Sequence, residues 1–180
     1  MILNIFEKII LKPLHLKINS LEKDVECDDY FGYNLHVNQA NIKFRKAKIT
    51  PKKVGQFVTL WQRNNENQTE PFSVNNQFKF YIIAVEDADK RGFFIFSKEI
   101  LAEKNILSTE KKEGKRGFRV YPDWAITTNK QAEKTKNWQT DYFIEITENN
   151  QVDFIKLEKL FNQKRNSIEF LFQFIYLRLE

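Results

Sequence analysis

Cysteine and histidine are nearly missing from this chain, and their scarcity removes several chemistries at once. One cysteine in 180 residues, Cys27, leaves no internal disulfide to form, which fits a cytoplasmic location. The two histidines, His15 and His36, stand at no ligand spacing to each other or to Cys27, so no nitrogen–sulfur metal centre is expected. A Ser-His-Asp or Cys-His arrangement would have to assemble in space from histidines outside the densest motifs. Glycine is scarce too, at five residues, and neither Gly-x-x-x-x-Gly-Lys-Ser/Thr nor Gly-x-Gly-x-x-Gly occurs, so no nucleotide-type cofactor is expected. No apolar run reaches the roughly 18 residues that span a bilayer, and Met1–Lys8 lacks the order of a signal peptide, so no membrane partner is expected. Repeats of 20 to 50 residues and low-complexity linkers are absent as well.

Aromatic and basic residues are plentiful. Seventeen phenylalanines supply much of a core, and 180 residues suffice for a single domain spanning 1–180. Formal charge is +5, with a pI near 9.1. That balance favours nucleic acid or another polyanion as partner, although a Lys- and Asn-rich surface without such a role gives the same sum.

Hydrophobic periodicity predicts an amphipathic helix from Asn4 to Lys23, broken near Lys12 by Pro13 into two short pieces. Strands are expected at 33–37, 42–49, 57–63, 78–85, 93–96 and 117–121. Apolar alternation in the second of these starts on Ile42 and Phe44 but resumes on Ala47 and Ile49. A period of two cannot change phase without an extra residue, which predicts a bulge near Lys46. Ser97 is expected to cap a short helix, and Thr128 or Asn129 a longer one reaching about Phe143. Another helix opens at Val152 or Asp153. The segment 168–179 is apolar on nearly every side and needs cover from the core or from a second copy, which makes it a candidate homo-oligomer contact. The order of elements predicts an α+β fold. It has a mostly antiparallel sheet of about six strands with helices on one face, an N-terminal helical segment and a C-terminal helical extension over 151–180.

Cations alternate with rings in Gly114–Trp124, where Lys115, Arg116 and Arg119 lie among Phe118, Tyr121 and Trp124. Lys43, Arg45, Lys46 and Lys48 follow one strand, and Trp61 and Arg63 end the next. On the helix from 129, Lys130 and Lys134 are i, i+4 neighbours beside a stripe of Gln131, Thr135, Trp138 and Tyr142. Such residues neutralise phosphates and stack on bases. They are equally the edges of half-buried strands and the wet rim of a core. The candidate nucleic-acid or anion-binding set is therefore Arg45, Lys48, Trp61, Arg63, Lys115, Arg116, Arg119, Tyr121, Trp124, Lys130, Gln131, Lys134 and Trp138. Arg45, Arg63 and Arg119, with few local acids to pair with, are expected to line one concave face near Trp124, Lys134 and Trp138. The catalytic alternative uses Glu86, Asp87 or Asp89 beside Lys90 to hold magnesium or manganese. It competes with a plain solvated turn.

Four segments together resemble the MepB-like family: Ala47–Arg63, Thr69–Phe72, Gly114–Trp124 and Gln131–Phe143. The resemblance covers about residues 26–146. It implies a small protein of poorly defined biochemical role, with a sheet comparable to that of PD-(D/E)XK nucleases. Acidic residues often precede the central strand in this family. Here Asn75, Asn76, Gln77 and Lys79 stand there, and neutral amides cannot supply the charge that holds a divalent cation. The reading that follows is a non-catalytic nucleic-acid-binding protein with a basic, aromatic-lined cleft favouring single strands. A divalent-metal nuclease, or a degenerate relative of one, is the alternative, and a protein-interaction module is the third reading.

Overall fold

The computed structural model describes residues 2–161; the apolar segment 168–179 lies outside them. The chain opens with helix α1 (Ile2–Ile5), which widens into a π-type turn over Phe6–Leu11 and tightens over Lys12–Leu14. Pro13 lies in this last turn, and His15 closes it in the left-handed region at φ 55°. The expected second helical piece does not form. Ile18–Lys23 is strand β1, paired antiparallel with β2 (Tyr33–Val37). Pairing with a neighbour overrides a local pattern that reads equally well as helix.

A turn at Asn38 and Gln39 leads to β3 (Ala40–Lys46) in register Val37↔Ala40, with Asn38 at φ 50°. The predicted phase change is present, but its cause is not a bulge. At Ala47, which is buried and donates its N–H to Ala84 O at 2.9 Å, the chain leaves one sheet for another. It continues as β4 (Lys48–Thr50) and β5 (Lys53–Thr59). A second break at buried Leu60 separates β5 from the hairpin β6 (Trp61–Arg63) and β7 (Thr69–Pro71).

Strands β8 (Phe78–Asp87) and β9 (Lys90–Ser97) form the long central hairpin. Ser97 caps α2 (Lys98–Glu103), its hydroxyl accepting from Ile100 N–H at 3.4 Å. Then come β10 (Gly117–Val120) and α3 (Lys130–Gln139), the latter capped by Asn129. Next are β11 (Phe143–Ile146), where the sequence suggested only the end of a helix, and α4 (Phe154–Phe161). The main sheet has the order β1-β2-β3-β8-β9-β11, antiparallel throughout except for the parallel β3–β8 pair. A smaller sheet has the order β10-β5-β4.

Both faces of the central β8–β9 hairpin are covered, the N-terminal segment and α4 lying on one and the small sheet with α2 on the other. Alternate residues of the central hairpin explain this. Ile82, Ala84, Phe93 and Ile95 join Phe6, Ile10 and Leu11 of the N-terminal segment and Leu157 and Leu160 of α4. Tyr81, Ile83, Val85, Phe94 and Phe96 join Val58, Val120 and Phe118 of the small sheet and Ile100 and Leu101 of α2. A strand apolar on both sides must be buried on both. The small sheet is also sealed by a side chain. Gln139, fully buried, donates to Arg119 O and accepts from Tyr121 N–H, each at 2.9 Å, occupying the place of a neighbouring strand beside β10.

Phe6 sits 5.5 Å from Phe44 and 5.1 Å from Phe93, ring centre to ring centre, with no exposure. Phe6→Ala should therefore cost about 3–5 kcal/mol in a denaturant titration. A loss under about 1 kcal/mol would mean that the N-terminal segment is an appendage rather than core.

Candidate functional site

The second face of the main sheet changes character along its width. Over β8, β9 and β11 it is apolar and covered. Over β1, β2 and β3 its cross-strand positions carry polar side chains instead. The pairing aligns Glu22 with Asn34, Asn34 with Lys43 and Lys43 with Tyr81 in one row, with Ser20, His36 and Asn41 in the next. Glu22 and Ser20 are exposed, Asn34, His36 and Asn41 half-buried, and Lys43 buried. The row thus runs from solvent into a recess at β3.

Two cations form the floor of that recess. The Arg45 side chain is 0% exposed and that of Lys43 6%. Both bind one carboxylate oxygen, Asp24 Oδ2: Lys43 Nζ at 2.9 Å, and Arg45 through Nη2. Lys43 Nζ also donates to Asn34 Oδ1 at 2.7 Å, and Arg45 Nη1 to Phe44 O at 3.0 Å. Above Lys43, Nζ stands 4.7 Å from the ring centre of Phe72 and 4.6 Å from that of Phe78, whose faces attract a cation. Phe72, Phe78 and Tyr81 touch one another at centroid distances of 5.9–6.1 Å and wall the recess on the β8 side. Among the described residues two buried polar side-chain atoms have no partner, Arg45 Nε and the Tyr81 hydroxyl.

Gly32 and Cys27 close the opposite wall. A Cβ on Gly32 would lie 2.9 Å from Arg45 Nη1 and from Cys27 Cβ, so the missing side chain makes room for the guanidinium. Cys27 is buried, with Sγ 3.6 Å from Thr59 Oγ1. It belongs to a 3₁₀ segment, Val25–Tyr30, whose acids are each tied to a different element. Glu26 pairs with Arg63 (3.0 Å), Asp28 with Lys23 (2.8 Å) and Asp29 with Lys48 (3.7 Å).

The residues singled out by sequence separate into three groups. Arg45 belongs to the recess. Arg63, Lys48, Trp61 and Arg116 belong to its surroundings. Arg63 stands over the Trp61 ring and binds Glu26. Lys48 stands over Tyr30. Arg116 Nε donates to Thr69 O, opposite Arg63 in the β6–β7 hairpin. The third group lies elsewhere. Tyr121 is buried beside Gly55, while Trp124, edge-on to Phe143, and Trp138, on Phe96 and Tyr142, are half-buried rings packed against the second core. Lys115, Lys130, Gln131 and Lys134 are exposed, away from this packing. Glu86, Asp87 and Asp89 form the end of the β8–β9 hairpin, with Glu86 paired to Lys46. Among the described residues no three His, Cys, Asp or Glu side chains group as metal ligands.

Three unpaired arginines around one anion are not what forms. Arg45 and Arg63 end in ion pairs, and Arg119 donates to Thr50 Oγ1 at 2.7 Å and to Gly55 O at 3.1 Å, pinning the β4–β5 turn. Their partners come from 21 to 69 residues away, which a search for acids nearby in sequence cannot see. Sequence reading also passed over Asp24 and Tyr81, and noted Lys43 among the strand's cations without placing it in the candidate set. The usable signal was two cations, Lys43 and Arg45, on one side of an otherwise buried strand.

Electrostatics follow from this crowding. Burial raises the Asp24 pKa, but the hydrogen bond from Lys43 and the charges of Arg45 and Lys43 outweigh it, leaving the carboxyl below its ordinary value. Burial, then the charge of Arg45, lowers the Lys43 pKa against the pull of Asp24. Burial also raises Tyr81, so its hydroxyl stays protonated. A folded-state carboxyl pKa below the unfolded value stabilises the fold above about pH 3.9, and this contribution is lost as pH falls through the folded value. Asp24→Asn should cost about 3–5 kcal/mol near neutral pH, since it strands two buried cations. It should also remove part of the fall in melting temperature between pH 5 and pH 2, as read by thermal melts. Equal acid sensitivity in both proteins would show that Asp24 does not carry it.

Comparison with known proteins gives the family. The MepB-like family model matches residues 24–145. The crystal structure of MepB is similar, with a TM-score of 0.71 and 35% sequence identity over 79% of this chain and 97% of that chain. A bacterial homing endonuclease, I-Ssp6803I, is more distant, with a TM-score of 0.40 and 13% identity over 87% of this chain and 88% of that chain. No curated protein matches the sequence. The matched span begins at Asp24 and ends within β11, taking in the whole recess, and on this match the chain belongs to the MepB-like family.

Proposed function

We propose that this protein binds nucleic acid without cutting it, in the cytoplasm, with the recess on β3 as a phosphate seat. One observation carries the reading: two buried cations share a single carboxylate. Desolvating each ion costs several kcal/mol, and only good pairing offsets that. Asp24 offsets one charge, so the group keeps a net positive charge in a poorly screened place. An anion completes it. Arg63, Lys48 and Arg116 stand around the recess in exposed pairs with Glu26, Asp29 and Glu113, and a second or third phosphate would take the place of those acids. The excess of basic over acidic residues supplies the long-range attraction.

Cleavage would need carboxylates free to hold a divalent ion beside the phosphate. Asp24 is bound by both cations, and Glu26, Asp28 and Asp29 each hold one of their own. Binding is therefore the reading the geometry favours.

Fluorescence anisotropy with labelled single- and double-stranded oligonucleotides tests it. Affinity should fall by at least about tenfold between about 50 and 200 mM salt, because phosphate contacts release counterions. Lys43→Met removes one of the seat's two positive charges while keeping an apolar stem under Phe72 and Phe78. It should fold, since an unbranched apolar chain suits that site, and bind more weakly. Substrate should emerge intact with magnesium or manganese. Salt-independent affinity would overturn the electrostatic reading, and EDTA-sensitive products would replace binding with nuclease activity.

A further inference from the structure

Resting on that reading, we propose that the hairpin β6–β7 is the clamp on the nucleic-acid backbone. Arg63 and Arg116 are its two contacts, and Glu26 and Glu113 hold the places of phosphates in the free protein. Chain continuity sets the clamp beside the recess, since Pro71 of β7 leads directly into Phe72 and Glu26 into Cys27. Within the hairpin, Arg63 and Thr69 are cross-strand partners. Arg63 Nη1 donates to Asn67 O at 2.8 Å, and Arg116 Nε to Thr69 O at 2.9 Å. Those carbonyls are two residues apart, a stretch of chain no longer than about 7 Å. Both guanidinium groups are therefore fixed to one arm of the hairpin.

Each arginine has a neutral anchor and an acidic partner, and the two are not equally replaceable. The anchors are the backbone carbonyls, joined for Arg63 by the Trp61 ring, whose centre lies 5.6 Å from Cζ. The acids are Glu26, 3.0 Å from Arg63, and Glu113, 3.1 Å from Arg116. All four side chains are 41–67% exposed, so an incoming group reaches them as it does not reach Arg45. An exposed ion pair contributes little to stability, and exchanging its acid for a phosphate costs correspondingly little. The bond to the carbonyl survives that exchange, so the guanidinium is already oriented when the phosphate arrives. Of its five N–H groups one stays on the carbonyl, which leaves four in a planar fork suited to phosphate oxygens. Lys130 and Lys134, exposed on α3, have no such anchor among the described residues. Contacts of this kind address the backbone, so the grip is independent of base sequence.

Anisotropy titrations at several salt concentrations, with one labelled single-stranded oligonucleotide, read the clamp. Arg63→Gln and Arg116→Gln should each weaken binding and flatten the slope of log affinity against log salt by about 0.7, the share of one phosphate contact on a single strand. Lys134→Gln, which removes the same charge, should leave the slope in place. Glu26→Gln should raise affinity about two- to fivefold, the measure of an exposed pair that no longer competes. Glu133→Gln, with the same change in net charge, should not. Melting temperature in Glu26→Gln should fall by less than about 4 °C, so its affinity reports binding rather than misfolding. Unchanged slopes in both arginine variants, with salt-dependent binding intact in the parent, overturn the clamp and leave nucleic-acid binding standing. Equal slopes for Lys134→Gln and Arg63→Gln overturn it as well, since bulk charge then accounts for the effect. Unchanged or weaker binding by Glu26→Gln overturns the role given to the acids. Failure of the parent protein to bind overturns the clamp and the reading beneath it.

Discussion

Two positive charges held in a nearly dry pocket by one carboxylate are the constraint around which this half of the molecule is arranged. The cost of keeping Lys43 and Arg45 out of water dictates what surrounds them. Asp24 must come from the β1–β2 connector to share its oxygen between both. Gly32 must lack a side chain so that the guanidinium fits. Aromatic faces rather than aliphatic groups cover Lys43, since only rings offer electron density to a cation. The 3₁₀ segment carrying Cys27 is held beside them by three separate ion pairs. Each of these pairs is exposed and individually worth little. Together they fix where the connector runs, and that decides where Asp24 points.

The sequence disclosed more of the frame than of the site. Alternation placed β2 and continuous apolar runs placed β8 and β9, and Ser97 and Asn129 announced their helices as caps do. Strand β1 was hidden because Ile18–Lys23 follows a helical stretch and lies at the sheet edge, where five of its six residues are exposed. Strand β11 was hidden because Phe143–Ile146 follows α3 with only one short turn between them. The phase jump at Ala47 was visible, but sequence alone does not say whether an extra residue bulges or the chain changes sheets.

The site was legible by chemistry and illegible by partnership. Arg45 stood out as a cation on a buried strand. Its pairing with Asp24 is set by the sheet order, which no local pattern contains. The same limit hides from the sequence that Tyr121 is buried and that Trp124 and Trp138 each lay one side against the second core. A ring interleaved with charges looks the same in a list of residues whether its flat side meets solvent or Phe96 and Phe143. Lys43 was seen among the strand's cations but left out of the candidate set for the opposite reason, because lysines on strands usually extend to water and this one does not.

Gln139 has a consequence for how copies of this protein behave in a crowded solution. The outer edge of β10 offers a free carbonyl and a free N–H, the template on which a strand of another molecule adds and from which ordered aggregates grow. One amide side chain occupies both with the same polarity a strand would present. It is delivered from a helix, which cannot itself recruit a further strand, so growth in that direction ends where it starts. A single residue thereby separates a sheet of three strands from an open-ended one, and it does so from inside the protein, where solvent composition has little leverage on it.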